Sequence, residues 1–139
     1  MTLPAVFVVD SSVGIAWLFE EQADDYTDAA LQALTQSFAV APRWWHVEVL
    51  NVLLVLERRK RLASGKAVEA LRHVQRLPIH LRDSQASIFQ LHALANQHHL
   101  TSYDAIYLDA ALATGLPLAT RDRALRQAAI DSGVGVWTA

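Results

Sequence analysis

The apolar run Ala5-Val6-Phe7-Val8-Val9 is continuous rather than alternating, the pattern of a strand buried on both faces at the centre of a parallel sheet. It stops at Asp10-Ser11-Ser12, a polar corner able to cap a helix over residues 13–19. Helical spacing covers 24–35, a short second strand at 38–41 ends at Pro42, and a long, largely apolar helix follows over 44–61. Ser64-Gly65 opens a further helix to about residue 77, and Pro78 sets off an apolar segment at 79–81 as a third strand. The helix predicted over 84–98 turns Ala86, Phe89, Leu91 and Leu94 inward. Ser102 caps a helix that runs to residue 113 and is ended by Gly115. Residues 118–120 read as a strand, 122–130 as the final helix and 134–137 as the last strand. Short strands alternating with longer helices predict an α/β fold, a three-layer α/β/α sandwich around a parallel sheet of four to five short strands. With no repeat, linker or low-complexity tract, residues 1–139 read as one domain.

Composition narrows the class. The chain has 139 residues, 53% of them hydrophobic, enough to build a core without metal or disulfide staples. The absence of cysteine removes disulfides, zinc-thiolate sites, iron–sulfur centres and cysteine nucleophiles from consideration. Residues 1–10 carry no basic region or small-residue cleavage site of a signal peptide. No apolar run approaches the ~18 residues that cross a bilayer. The expectation is a soluble, cytoplasmic protein with no membrane partner. A formal net charge of −2 means that any nucleic acid must be attracted by local patches or bound metal. Basic residues do cluster, at Arg58-Arg59-Lys60-Arg61, Arg72/Arg76/Arg82 and Arg121/Arg123/Arg126, although solvated helix faces explain such clusters as well.

Four carboxylates change the picture. Asp10 and Asp122 each follow a predicted strand, at the sheet edge where open α/β folds bind ligands. Glu48 lies in the apolar surroundings of Trp44-Trp45-His46-Val47-Glu48-Val49-Leu50, with Asn51 three residues on along the same helix face. Asp104 sits in the first turn of its helix, where an acid also suits the helix dipole. Singly, each has a plain explanation as a cap or a polar helix face. Together, they can lie on one edge of the sheet, and clustered carboxylates stay ionised only beside a counter-cation. Hard oxygen ligands select Mg²⁺, with Mn²⁺ able to substitute, and phosphoryl chemistry is the natural use of such a site. Asp109, five residues beyond Asp104, falls off that residue's face and reads as exposed or interfacial.

With these positions aligned, the chain resembles the PIN-domain ribonucleases, specifically the VapC-like toxins of prokaryotic toxin–antitoxin pairs. The resemblance rests on Val8-Val9-Asp10-Ser11-Ser12, on Glu48 with Asn51, on Thr101-Ser102-Tyr103-Asp104-Ala105-Ile106-Tyr107-Leu108, and on Leu118-Ala119-Thr120-Arg121-Asp122-Arg123-Ala124-Leu125. It implies that Asp10, Glu48, Asp104 and Asp122 form an acidic quartet, with Ser12 and Thr120 as supporting hydroxyls and Asn51 as a nearby polar residue. It further implies a Mg²⁺-dependent endoribonuclease that leaves 5′ phosphates and 3′ hydroxyls, that homodimerises, and that a small antitoxin inhibits.

On this reading Asp10 and Asp122 are the principal ligands, Asp104 binds directly or through water, and Glu48 serves a second metal or deprotonates the attacking water. Arg43, Arg121 and Arg123 are candidates for RNA phosphate contacts. Trp17, Trp44 and Trp45 belong to the core or an interface before they belong to RNA, and the histidines show no acid–base constellation. The alternatives are a PIN-type nuclease of RNA processing without an antitoxin, and a non-catalytic interaction domain whose acids only cap helices. A small-substrate phosphatase is disfavoured because the first motif is Asp10-Ser11-Ser12, without the second aspartate of a D-x-D nucleophile.

Overall fold

Strand β1 (Ala5–Val9) completely buries Phe7, Val8 and Val9, as its unbroken apolar run requires. The computed structural model describes residues 4–139; Met1–Leu3, part of the stretch read above for a signal peptide, lie outside the described residues. Helix α1 (Ser11–Ala16), a 3₁₀ turn (Glu20–Gln22) and α2 (Asp25–Ala33) lead to β2 (Phe38–Pro42). Helices α3 (Trp44–Arg58) and α4 (Lys66–Arg76) lead to β3 (Ile79–Arg82). Then come α5 (Ile88–His98), α6 (Ser102–Thr114), β4 (Leu118–Ala119) and α7 (Arg123–Ser132).

The four strands are all parallel, in the order β3-β2-β1-β4. Helix α3 packs on α1 and α4, whereas α6 packs on α5 and α7 and crosses β1 and β2. Right-handed crossovers place these two groups on opposite faces, giving three layers. The chain steps outward from β1 through β2 to β3 and then returns to the other side of β1, so the strand order reverses between β1 and β4. That reversal opens a crevice at the carboxyl ends of β1 and β4. Val9 pairs with Ala119 there, and the next residue, Asp10, donates its N–H to the Ala119 carbonyl at 3.2 Å.

Three sequence expectations are corrected. Residues 134–137 make a single bridge, Leu118 to Val136, and the sheet has four strands among the described residues. Gly135, at φ +79°, turns the chain away before a ladder can extend. Phe89 points outward and is 81% exposed. The helix starts only at Ile88, capped by Ser87, and its inner face is the Leu91, Leu94, Ala95 row; Phe89 and Leu91, two residues apart, cannot share a face. Finally, Thr101 rather than Ser102 caps α6, its hydroxyl accepting the Asp104 N–H at 3.2 Å.

One close approach fixes α1 against α3. A Cβ on Gly14 would stand 2.7 Å from the Trp45 ring, so only glycine lets the two helices meet. The Trp45 ring is 1% exposed, and its Nε1 donates to the Asp10 carbonyl at 3.1 Å. Trp17, also buried, donates its Nε1 to the Thr27 carbonyl at 2.8 Å and ties α1 to α2. Gly14→Ala must displace a fully packed indole, and it is expected to lower stability by about 1–3 kcal/mol. Urea unfolding measures this, and an unchanged midpoint would show that the Gly14–Trp45 contact is not needed.

Candidate metal centre

Asp10 leaves β1 at the crevice with an exposure of only 4%. No other carboxylate among the described residues is buried. Its Oδ1 accepts the Val13 N–H at 3.0 Å, capping α1, and the Ser12 hydroxyl at 2.7 Å. Its Oδ2 accepts the Thr120 hydroxyl from the end of β4. Thr120 Oγ1 in turn accepts the Asp122 N–H at 3.0 Å. Asp122 caps α7, its Oδ1 accepting the Leu125 N–H at 2.8 Å.

Glu48 reaches the same place from α3. Its Oε2 accepts the Ser11 hydroxyl at 3.1 Å, and its Oε1 accepts the Tyr107 hydroxyl at 2.6 Å. One run of hydrogen bonds and adjoining residues therefore links Glu48, Ser11, Asp10, Thr120 and Asp122 across α3, β1 and β4. Asp104, half-buried one turn before Tyr107, is near enough to both Asp122 and Glu48 to feel their charges. The structure thus brings together Asp10, Glu48, Asp104, Asp122, Ser12 and Thr120.

The electrostatics are those of acids lacking a counter-charge. Burial pushes Asp10 up to about 6 despite three hydrogen-bond donors, and the Asp122 charge adds to the rise. Asp104 is raised by burial first, then by Asp122 and Glu48. Tyr107 is raised by burial and by Glu48, which keeps its hydroxyl protonated as a donor to that carboxylate. Arg121 does not neutralise the cluster. Its guanidinium donates to the Gln22 carbonyl at 2.7 Å, the Ser12 carbonyl at 3.1 Å and Asp24 at 3.3 Å.

Among the described residues, no three acid or histidine side chains form a finished metal cage as they stand. The donor chemistry nevertheless fits a hard divalent cation: the groups are all oxygens, one buried and its charge disfavoured, beside exposed Asp122 and half-buried Asp104, which have room to turn. Asp10, Asp104 and Asp122 could hold such an ion, with Glu48 beside it.

The remaining sequence candidates separate. Arg121 is engaged by the bonds above. Arg43 pairs with Asp83 at 2.8 Å, an exposed pair of little strength, and Arg123 is exposed. Asn51 is exposed on the Glu48 face of α3. Asp109 accepts the Ser84 hydroxyl at 2.8 Å, away from the quartet. Ser11 and Tyr107 were missed by sequence reasoning, although a tyrosine inside an apolar helix face signals a hydroxyl that needs a buried partner.

The raised Asp10 makes a signed prediction. Asp10 holds its proton to about pH 6 when folded but only to 3.8 otherwise, so the native state binds more protons between those values. Its contribution is fully favourable below the lower value and is lost as pH rises through the upper, a cost of about 3 kcal/mol at pH 7.5. Asp10→Asn is therefore expected to be more stable than the parent at pH 7.5, with the gain fading towards pH 4. Paired denaturation curves across this range decide it, and a gain that persists at pH 4 or is absent at 7.5 contradicts the assignment.

Comparison with known proteins identifies the fold and the family. No curated protein matches the chain. Among solved structures it is similar to PAE2754 from Pyrobaculum aerophilum, with a TM-score of 0.63 and 23% identity over 89% of this chain and 84% of the other. That likeness shows a shared fold. A profile of the PIN domain matches residues 7–131, from β1 to the end of α7. PIN domains are generally metal-dependent nucleases, so the crevice lies in a nuclease-type fold. On the match over residues 7–131, with all four acids inside it, the chain belongs to the PIN-domain family.

Proposed function

We propose that this protein is a Mg²⁺-dependent endoribonuclease that acts as the toxin of a toxin–antitoxin pair. The observation that carries the reading is the convergence, at the strand-order reversal, of Glu48 held by Ser11, of the adjoining Asp10 held by Thr120, and of Asp122, whose N–H donates to Thr120. Helix capping alone explains one oxygen each of Asp10 and Asp122. It leaves Glu48 and the second oxygen of Asp10 unexplained, which weighs against a purely structural role.

Asp10 and Asp122 are the principal ligands in this account, and Asp104 joins them directly or through water. When bound, Mg²⁺ supplies an acidified water and offsets charge on the phosphate. Ser12 and Thr120 fix the Asp10 carboxylate by donating to its two oxygens. Glu48, steadied by Ser11 and Tyr107, serves a second ion or accepts the proton of the attacking water. In-line attack at phosphorus breaks the bond to the 3′ oxygen. That oxygen leaves as a hydroxyl after taking up a proton, and the phosphate remains on the 5′ end of the other fragment. Arg123 is the candidate best free to meet the RNA backbone.

Two surfaces support the partner proposals. A groove of about 780 Å³ shares no residue with the acidic quartet. Trp17, Leu18, Phe19 and Leu62 give it an apolar floor, and Arg61, Lys66, Arg72, His73 and Arg76 outnumber Glu69 at its rim. An acidic, amphipathic antitoxin segment suits that chemistry. Ile88 and Phe89, 79% and 81% exposed at the start of α5, are apolar surface that a homodimer would cover. Among the described residues no helix is long and apolar enough to cross a membrane.

The expected outcome with purified protein and a structured RNA pool is discrete cutting with Mg²⁺ or Mn²⁺, bearing 5′ phosphates and abolished by EDTA or by Asp10→Asn. Adding the small protein encoded beside the gene should stop the cutting, and the enzyme should sediment at twice the 15.4 kDa of the chain. Absence of cutting together with absence of calorimetric Mn²⁺ binding would leave a non-catalytic interaction domain as the account. Cutting that no neighbouring protein restrains would favour an RNA-processing enzyme.

A further inference from the structure

Beside the acids lies a second pocket, of about 430 Å³, lined by Trp44, Val47, Glu48, Asn51 and Tyr103. Four of these recur along one face of α3 at helical spacing, and the fifth stands next to Asp104 at the start of α6. The pocket therefore shares Glu48 with the acidic quartet and adjoins Asp104. Its size is that of a small-molecule site, roughly 300–1,000 Å³.

The lining has a definite chemistry. The rings of Trp44 and Tyr103 stack with centroids 5.2 Å apart and planes 12° from parallel. Tyr103 remains 53% exposed and Val47 48% exposed, so an aromatic and apolar shelf faces solvent directly beside a cluster of charges. The Trp44 Nε1 is buried without a hydrogen-bond partner, so the indole is held by its ring faces and not by a polar anchor. No cationic side chain lines the pocket, which removes phosphate as its occupant. Among the lining side chains, the exposed Asn51 amide offers a donor and an acceptor side by side. A flat, uncharged ring system with adjacent hydrogen-bonding groups on its edge matches both features, and a nucleobase is that ligand.

We infer that the Trp44–Tyr103 shelf and Asn51 form a nucleobase subsite that seats a base flanking the scissile phosphate and sets sequence preference at the cut. The inference rests on the nuclease reading above and gives its substrate a point of attachment. Tyr103 extends the stack and contributes affinity that is tolerant of base identity. Asn51 reads the base edge and contributes discrimination.

The test separates the subsite from the chemistry. A short RNA carrying 2-aminopurine is titrated into the Asp10→Asn protein, so that binding is read by fluorescence quenching without cleavage. Quenching is expected, with Tyr103→Ala weakening it tenfold or more, while Mn²⁺ affinity of the Tyr103→Ala protein stays unchanged as proof of an intact centre. On a randomised RNA pool, Asn51→Ala is expected to spread the cut sites over more bases. No quenching with the Asp10→Asn protein, or equal quenching after Tyr103→Ala, overturns the subsite even where the parent cuts RNA. Quenching that depends on Tyr103 in a protein that cuts no RNA would uphold the subsite and reject the nuclease reading instead.

Discussion

A single buried carboxylate organises the functional half of this molecule. Asp10 leaves the central strand almost fully buried, and taking its charge out of water is costly. Three donors offset part of that cost, and each comes from an element that must be correctly placed: Ser12 and Val13 from α1, Thr120 from the end of β4. The rest of the cost persists as a raised proton affinity. A divalent cation is the partner that would remove it, which ties folding at this edge to the chemistry of the site.

The packing on the opposite side of Asp10 serves the same end. Gly14 lets Trp45 lie against α1, and the indole N–H returns to the Asp10 carbonyl. Because Trp45 and Glu48 lie on one helix, that contact also sets how far α3 carries Glu48 towards the cluster. The caps of α1 and α7 are made by two of the acids themselves, so helix capping and the candidate metal centre draw on the same side chains.

Much of this was legible in the sequence. The unbroken run at 5–9 marked the central strand, and an aspartate directly after a strand marked the ligand edge; both follow from local pattern. Asp10, Asp104 and Asp122 were readable because each sat where a strand ended or a helix began, and Glu48 because it interrupts an apolar stretch of helix. What escaped depends on tertiary packing. Tyr107 looks like a core residue of α6 until Glu48 is seen to approach it from α3, and the guanidinium of Arg121 looks free until Gln22 and Asp24 fold over it. Phe89 faces solvent because a two-residue offset from Leu91 puts it on another face of α5. The strand expected at 134–137 failed because two glycines within four residues, Gly133 and Gly135, both with positive φ, leave room for only a bridge.

Among the described residues these acids converge without enclosing a cation in their present rotamers, and on the proposed function a divalent ion draws them together. Crystals soaked in Mn²⁺, with data collected for manganese anomalous scattering, test it most directly. One strong peak bounded by Asp10, Asp104 and Asp122 is expected, with Asp10 still held by Ser12 and Thr120. A peak elsewhere, or none at millimolar Mn²⁺ and neutral pH, would contradict it.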